Sequence, residues 1–135
     1  MVYMDDLTKN INMEGGSEKK VSGLVVDDEA VNRQIHMSLL KKLNVEAEAA
    51  ENGKEAVEAF QGGASFDLVL MDLEMPAMDG LQATKELRRM GVKSKIIGVT
   101  GHGPTSEKKA AFMEAGLDHC FMKPLTIESL QTLLQ

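Results

Sequence analysis

Carboxylates, a hydroxyl and an ammonium group each follow a short apolar run in this chain. Asp27-Asp28-Glu29 follows Leu24-Val25-Val26, and Asp72 follows the run 66–71. Thr100 follows Ile96-Ile97-Gly98-Val99, and Lys123 follows the run 119–122. Singly, each has an ordinary explanation. Acidic pairs cap helices, threonine favours strands, and an exposed lysine is simply solvated. Jointly they are harder to dismiss, because each would end a different strand of one sheet.

The chemistry follows from charge. Three carboxylates crowded in a cleft need a counter-charge. A hard divalent cation is the natural one, and magnesium fits, since it takes one or two carboxylates, keeps waters and accepts a phosphate oxygen. A carboxylate there can attack phosphorus and form an aspartyl phosphate. The transferred group needs positive charge and donors on its oxygens, which magnesium, Lys123 and Thr100 would supply.

The elements that must position these groups are legible as an alternation. Leu24-Val25-Val26 reads as a buried strand, and Val31, Ile35, Leu39 and Leu43 then recur every four residues as a helical stripe. Residues 45–50 read as a second, weaker strand, and 54–60 as a helix ended by Gly62-Gly63. The run 66–71 is apolar on both faces, as expected of a strand inside a parallel sheet. Residues 81–90 form a helix closed by Gly91, and 96–99 a fourth strand. Thr105 is expected to cap a helix running to Ala115, 119–122 is a fifth strand, and Thr126 caps a last helix carrying Ile127, Leu130, Leu133 and Leu134. Five β-α units predict an α/β fold, a doubly wound parallel sheet covered on both faces. Functional groups then gather at the carboxyl ends of the strands.

Composition narrows the function classes. The chain has 135 residues, which suits one domain. Its net charge of −6 argues against standing nucleic-acid or anionic-membrane binding. The single cysteine excludes an internal disulfide and points to a reducing compartment. No apolar run is long enough to span a membrane. Residues 1–20 read as a flexible N-terminal tail, with a domain over 21–135. Gly101-His102-Gly103 lacks the spacing of a dinucleotide loop. His102, His119 and Cys120 are too few and scattered for a metal site. Cys120 is expected to be a small buried hydrophobe, and His119 a strand-boundary residue.

Val26-Asp27-Asp28-Glu29, the stretch from Asp72-Leu73-Glu74 through Met75-Pro76-Ala77-Met78-Asp79-Gly80, Val99-Thr100-Gly101 and Lys123-Pro124 together resemble the receiver domain of two-component response regulators. The resemblance covers residues 21–135. The stretch 111–120 and Glu74-Met75-Pro76 are similar to the stand-alone plant receivers, especially the type-C group. This implies a flavodoxin-like (βα)5 fold with strand order 2-1-3-4-5. It implies Asp72 as phosphoacceptor, Asp28 as a direct magnesium ligand, Asp27 acting mainly through water, and the Glu74 backbone carbonyl on the metal. Thr100, Lys123 and the Gly101 amide would hold phosphoryl oxygens, and the Lys123-Pro124 bond would be cis. The implied partner is a histidine-containing phosphotransfer protein or a histidine kinase, with no nucleic acid, no membrane and a monomeric chain. The implied location is the cytoplasm, with the nucleus as a second, and the implied setting is phosphorelay signalling of the cytokinin kind.

Two side-chain choices depart from the family pattern, the second of them a pair. Cys120 stands where an aromatic switch residue is usual. Glu74 and His102 flank the water path to the phosphoryl group, or are merely solvent-facing loop residues. The chain stops after the fifth helix, with no output domain expected, and a phosphate-sink role is open. His36, beside the Ile35 stripe, is expected to contact the partner, with Val31, Gln34, Ile35 and Ser38 as the docking stretch. The competing functions are an aspartyl-phosphate phosphatase, which Asp72-Leu73-Glu74 faintly echoes, a receiver fragment of a hybrid histidine kinase, or a binding module with a dead pocket. Phosphatase activity toward a phosphohistidine partner is a further expectation.

Overall fold

The alternation of apolar runs and helical stripes is realised as five strands and five helices among the residues that the structure, a computed structural model, describes: 21–75, 78–101 and 106–134. In chain order these are β1 (Val21–Val26), α1 (Ala30–Lys42), β2 (Val45–Ala50), α2 (Gly53–Gln61), β3 (Leu68–Asp72), α3 (Gly80–Arg89), β4 (Lys95–Thr100), α4 (Ser106–Ala115), β5 (His119–Met122) and α5 (Ile127–Leu134). The expected N-terminal tail, the Pro76-Ala77 step, His102 and the Thr105 cap lie outside the described residues.

All strand pairs are parallel, and the order is β2-β1-β3-β4-β5, as expected. β3 is the central strand, and all five of its residues are buried. Side chains alternate between two cores, as the two-residue period of a strand requires. Leu24, Val26, Val69, Met71 and Ile96 pack with Ala56, Val57, Ala83 and Leu87 on the α2–α3 face. Val25, Leu68, Leu70, Ile97 and Val99 pack with Leu40, Leu130 and Leu134 on the α1–α5 face.

Local signals set the helix ends. Asn52 accepts a hydrogen bond from the Glu55 N–H at 2.8 Å, Asp79 from the Gln82 N–H at 2.8 Å, and the Thr126 hydroxyl from the Ser129 N–H at 3.1 Å. Each satisfies a donor that the helix start would otherwise leave open. α4 ends where Gly116 takes a left-handed φ of 116°.

Two expectations need correction. Asp72 and Thr100 are the last residues of their strands rather than the first beyond them, because the β3–β4 ladder continues to the Asp72–Val99 pair and the β4–β5 ladder to the Thr100–Met122 pair. The α1 stripe holds only in its second half, where Leu39 and Leu43 pack against the α1–α5 core. Val31 is 68% exposed and Ile35 48%, whereas His36 and Leu40 are buried and Arg33 and Met37 half-buried. The inward face is thus 33, 36, 37 and 40, a helical i, i+3, i+4, i+7 set whose first two members are polar. Hydropathy alone could not find it. His36 is at the helix–sheet contact and not on a docking surface, and burial depresses its pKa.

Gly80 joins the fold to the strand-end edge. A Cβ there would come 2.1 Å from the Asp72 carbonyl oxygen, so the start of α3 rests on the backbone of Asp72. Gly80→Ala must therefore push either α3 or Asp72 aside. We expect a loss of about 1–3 kcal/mol, read as a lower urea midpoint. An unchanged midpoint would show that the contact relaxes without cost.

Candidate functional site

β1 and β3 are neighbours in the sheet, but the chain leaves β1 toward one edge and β3 toward the other. The carboxyl ends of such a pair open a crevice between diverging loops. Asp72 ends β3 there, and Asp27 and Asp28 directly follow β1. One carboxylate oxygen from each of Asp27, Asp28 and Asp72 lies within 4.8 Å of the others. Asp27 and Asp72 are buried, and Asp28 is exposed.

A shared local turn aims the two buried groups. Asp27 Oδ1 accepts the Glu29 N–H at 2.9 Å, and Asp72 Oδ1 accepts the Glu74 N–H at 3.0 Å. Both belong to an Asp-x-Glu segment at a strand end, so one turn recurs on neighbouring strands. Each turn leaves the second oxygen free to face Lys123, whose Nζ lies 3.3 Å from Asp27 Oδ2 and 3.5 Å from Asp72 Oδ2. The Lys123 N–H donates to the Thr100 carbonyl at 2.7 Å, which seats the lysine beside the end of β4. The Lys123-Pro124 bond is cis, as the resemblance implied.

Burial pushes the pKa of Asp72 up to about 6; the Glu74 N–H and Lys123 pull it down, while the charge of Asp27 pushes it up. Burial works against the charge on Lys123, but Asp72 and Asp27 outweigh it and leave its pKa raised. The ammonium is thus firmly charged, and Asp72 is held near the point where a missing positive charge would neutralise it.

On the other side of Asp72, Thr100 is buried and its hydroxyl donates to Glu74 Oε2. The exposed Gly101 N–H donates to Glu74 Oε1 at 2.9 Å. The expected residues Asp27, Asp28, Asp72, Thr100, Gly101 and Lys123 therefore meet at one edge. The Glu74 side chain is neither a bystander nor a member of the carboxylate cluster. Sequence reasoning also missed Arg33, whose Nη1 donates to the Asp27 carbonyl at 2.7 Å and braces the loop after β1. The spacing to His36 and Leu40 carried that signal, hidden by its polarity. Cys120 is half-buried against the α2–α3 core, and the exposed His119 stacks on Phe121.

Comparison with known proteins decides the family. The response regulator receiver domain family matches residues 24–135. The chain belongs to this family. A curated relative, two-component response regulator 24 of Arabidopsis thaliana, is 51% identical over 118 residues, covering 87% of this chain and 84% of the relative. The chemotaxis protein CheY4 of Vibrio cholerae has a similar structure, with a TM-score of 0.79 and 30% identity, covering 87% of this chain and 98% of that one. The receiver domain of the histidine kinase CKI1 from Arabidopsis thaliana, solved as a complex with Mg2+, gives a TM-score of 0.72 and 35% identity, covering 86% and 92%. This receiver is therefore close to stand-alone plant response regulators, and its fold is that of the chemotaxis receivers. No helix among the described residues is long and apolar enough to cross a membrane.

The acidic cluster fits a hard divalent cation. Three carboxylates converge, and the buried Asp27 Oδ2 receives no hydrogen bond although the Lys123 ammonium is near. A protonated Asp72 cannot serve as a ligand, so magnesium affinity should fall as pH drops through about 6. The metal-free protein should show the opposite trend. Its Asp72 pKa is raised above the unfolded value, so this group's contribution to stability is full below the ordinary carboxylate range and is lost as pH rises through about 6. Urea midpoints with and without magnesium, at about pH 5 and about pH 7.5, should show the larger gain at the higher pH. An equal gain at both would remove Asp72 from the metal site.

Proposed function

We propose that this receiver takes a phosphoryl group from a phosphohistidine partner onto Asp72 and then loses it to water. The observation that supports this best is the surrounding of Asp72. A buried strand-end carboxylate has the Lys123 ammonium 3.5 Å away and a carboxylate cluster on one side. The Thr100 hydroxyl and the Gly101 N–H lie on the other, bridged by Glu74.

In the transfer step an oxygen of Asp72 forms a bond to phosphorus while the P–N bond to the partner's imidazole breaks. The imidazole leaves with the bond's electron pair and is protonated. Lys123, Thr100 and Gly101 hold the three-oxygen group, which carries most of the charge. Asp27, Asp28, Asp72 and the Glu74 carbonyl would hold magnesium, which supplies further positive charge to the phosphoryl oxygens. In the second step water bonds to phosphorus, the bond to Asp72 breaks, and inorganic phosphate and the free carboxylate are restored. A chain that repeats both steps drains phosphoryl groups from its partner, which is the phosphate-sink role.

The partner we infer is a histidine-containing phosphotransfer protein, in a reducing compartment such as the cytoplasm or nucleus. It must cover the strand-end edge to bring its histidine to Asp72, and α1 is the nearest wall. Val31, Gln34, Ile35 and Ser38 are all exposed there, two of them apolar.

Asp72→Asn keeps size and fold but removes the nucleophile. It should abolish labelling both by the phosphorylated partner and by acetyl phosphate; normal labelling would refute the assignment. Ile35→Asp should weaken transfer from the protein partner by about tenfold or more, as for loss of an apolar anchor of 1.4 kcal/mol or above. It should leave labelling by acetyl phosphate unchanged. Equal loss with both donors would place the damage in the pocket rather than at an interface. Turnover of a generic phosphate monoester should be negligible, and measurable turnover would favour a phosphatase.

A further inference from the structure

Glu74 lies two residues beyond Asp72, in the loop after β3, and is exposed. An exposed glutamate ordinarily keeps its carboxylate in water, because fixing a long side chain costs rotamer entropy. Here both oxygens are engaged from one direction. Oε2 takes the Thr100 hydroxyl proton and Oε1 takes the Gly101 N–H at 2.9 Å. A charged acceptor strengthens both bonds. These are the donors that the receiver reading gives to the phosphoryl oxygens. A hydroxyl has one proton and an amide has one, so neither can serve two anions well at once. The cluster of Asp27, Asp28 and Asp72 offers Glu74 no attraction of its own, since all are acidic.

We propose that Glu74 is an intramolecular competitor: its carboxylate occupies the Thr100–Gly101 donor pair in the unphosphorylated protein and must leave before a phosphoryl group can be held there. The proposal rests on the receiver reading and adds a control step to it. When the competent state is only a fraction of the population, apparent affinity falls by that fraction. Two charge-assisted bonds at an exposed site should hold the closed form by a factor on the order of ten. Glu74 then sets how readily the site fills, separately from the chemistry at Asp72. A phosphoryl group that does enter takes over the same donors, so Glu74 is released toward solvent as the site is occupied.

The test uses the whole chain with magnesium. Beryllofluoride serves as a phosphoryl mimic that binds without chemistry, and acetyl phosphate as the covalent donor. Glu74→Ala should bind beryllofluoride about tenfold more tightly and be labelled faster at low donor concentration. Glu74→Gln should fall between it and the wild type, because an amide oxygen can still accept one bond but its NH2 opposes the other donor. In the wild type the Gly101 amide proton should carry the downfield signature of a bond to a carboxylate; Glu74→Ala should lose it and beryllofluoride should restore it. Unchanged or weaker beryllofluoride affinity in Glu74→Ala, with the wild type still labelled, would overturn the competitor role alone. A wild type that takes neither label nor beryllofluoride would overturn the receiver reading and this proposal with it.

Discussion

The ammonium of Lys123, held between Asp27 and Asp72, is the contact on which the site depends. It enters from the end of β5, passes the end of β4 and reaches the carboxylates at the ends of β1 and β3. One side chain thus ties together groups from across the sheet. Without it two buried carboxylates would face each other and an exposed third with no counter-charge, and at least one would take up a proton. The raised pKa of Asp72 shows how near that limit the site stands even with Lys123 present. A buried carboxylate that is to stay ionised needs such a partner.

The sheet makes the arrangement affordable. Crowded carboxylates oppose folding, so stability must come from elsewhere in the molecule. It comes from the two apolar layers, where strand side chains alternate between the α2–α3 and α1–α5 faces. Those layers lie deeper in the fold than the strand-end edge, so the edge can carry polar groups without opening a cavity. The same alternation fixes direction: once β3 is registered against β1 and β4, Asp72 emerges at one edge and cannot slip by one residue without exchanging its two faces.

That logic explains what the sequence disclosed. Strand runs such as 68–71 and a capping residue such as Thr126 act locally, so their meaning survives without tertiary context. The strand-end residues were legible as a set because topology alone brings them to one edge. α1 was not legible, because its inward face begins with Arg33 and His36. Both are polar and both are justified only by partners distant in sequence, the Asp27 carbonyl and the sheet beneath. The apolar Val31 and Ile35 therefore read both as part of the helical stripe and as docking candidates, and only the structure shows that they face outward. Glu74 escaped for a related reason. Its backbone position follows from the motif, but its side-chain target, Thr100 and Gly101, lies across the strand-end crevice on another loop.

The two halves of the site differ in construction. Asp27 and Asp72 are buried at strand ends, and each is fixed by a turn bond to its own segment. The donors opposite are mixed: Thr100 is buried as the last residue of β4, whereas Gly101 is exposed in the loop beyond it, and their acceptor Glu74 is exposed in the loop beyond β3. In the proposed reaction Asp72 and its counter-charge need constant geometry, because the acceptor oxygen would have to meet phosphorus at bonding distance. In the same proposal the donor half would have to admit a bulky anion and later let phosphate go. With Thr100 fixed by β4, the loop groups Gly101 and Glu74 are the part of the proposed donor half that could change occupant while the strands stay still. Cys120 is half-buried and pairs with Gly98 across the β4–β5 ladder, whereas the residue paired with Thr100 is the exposed Met122. The strand-end edge adjoins the exposed face of α1, which is the surface that the proposed phosphotransfer partner would touch.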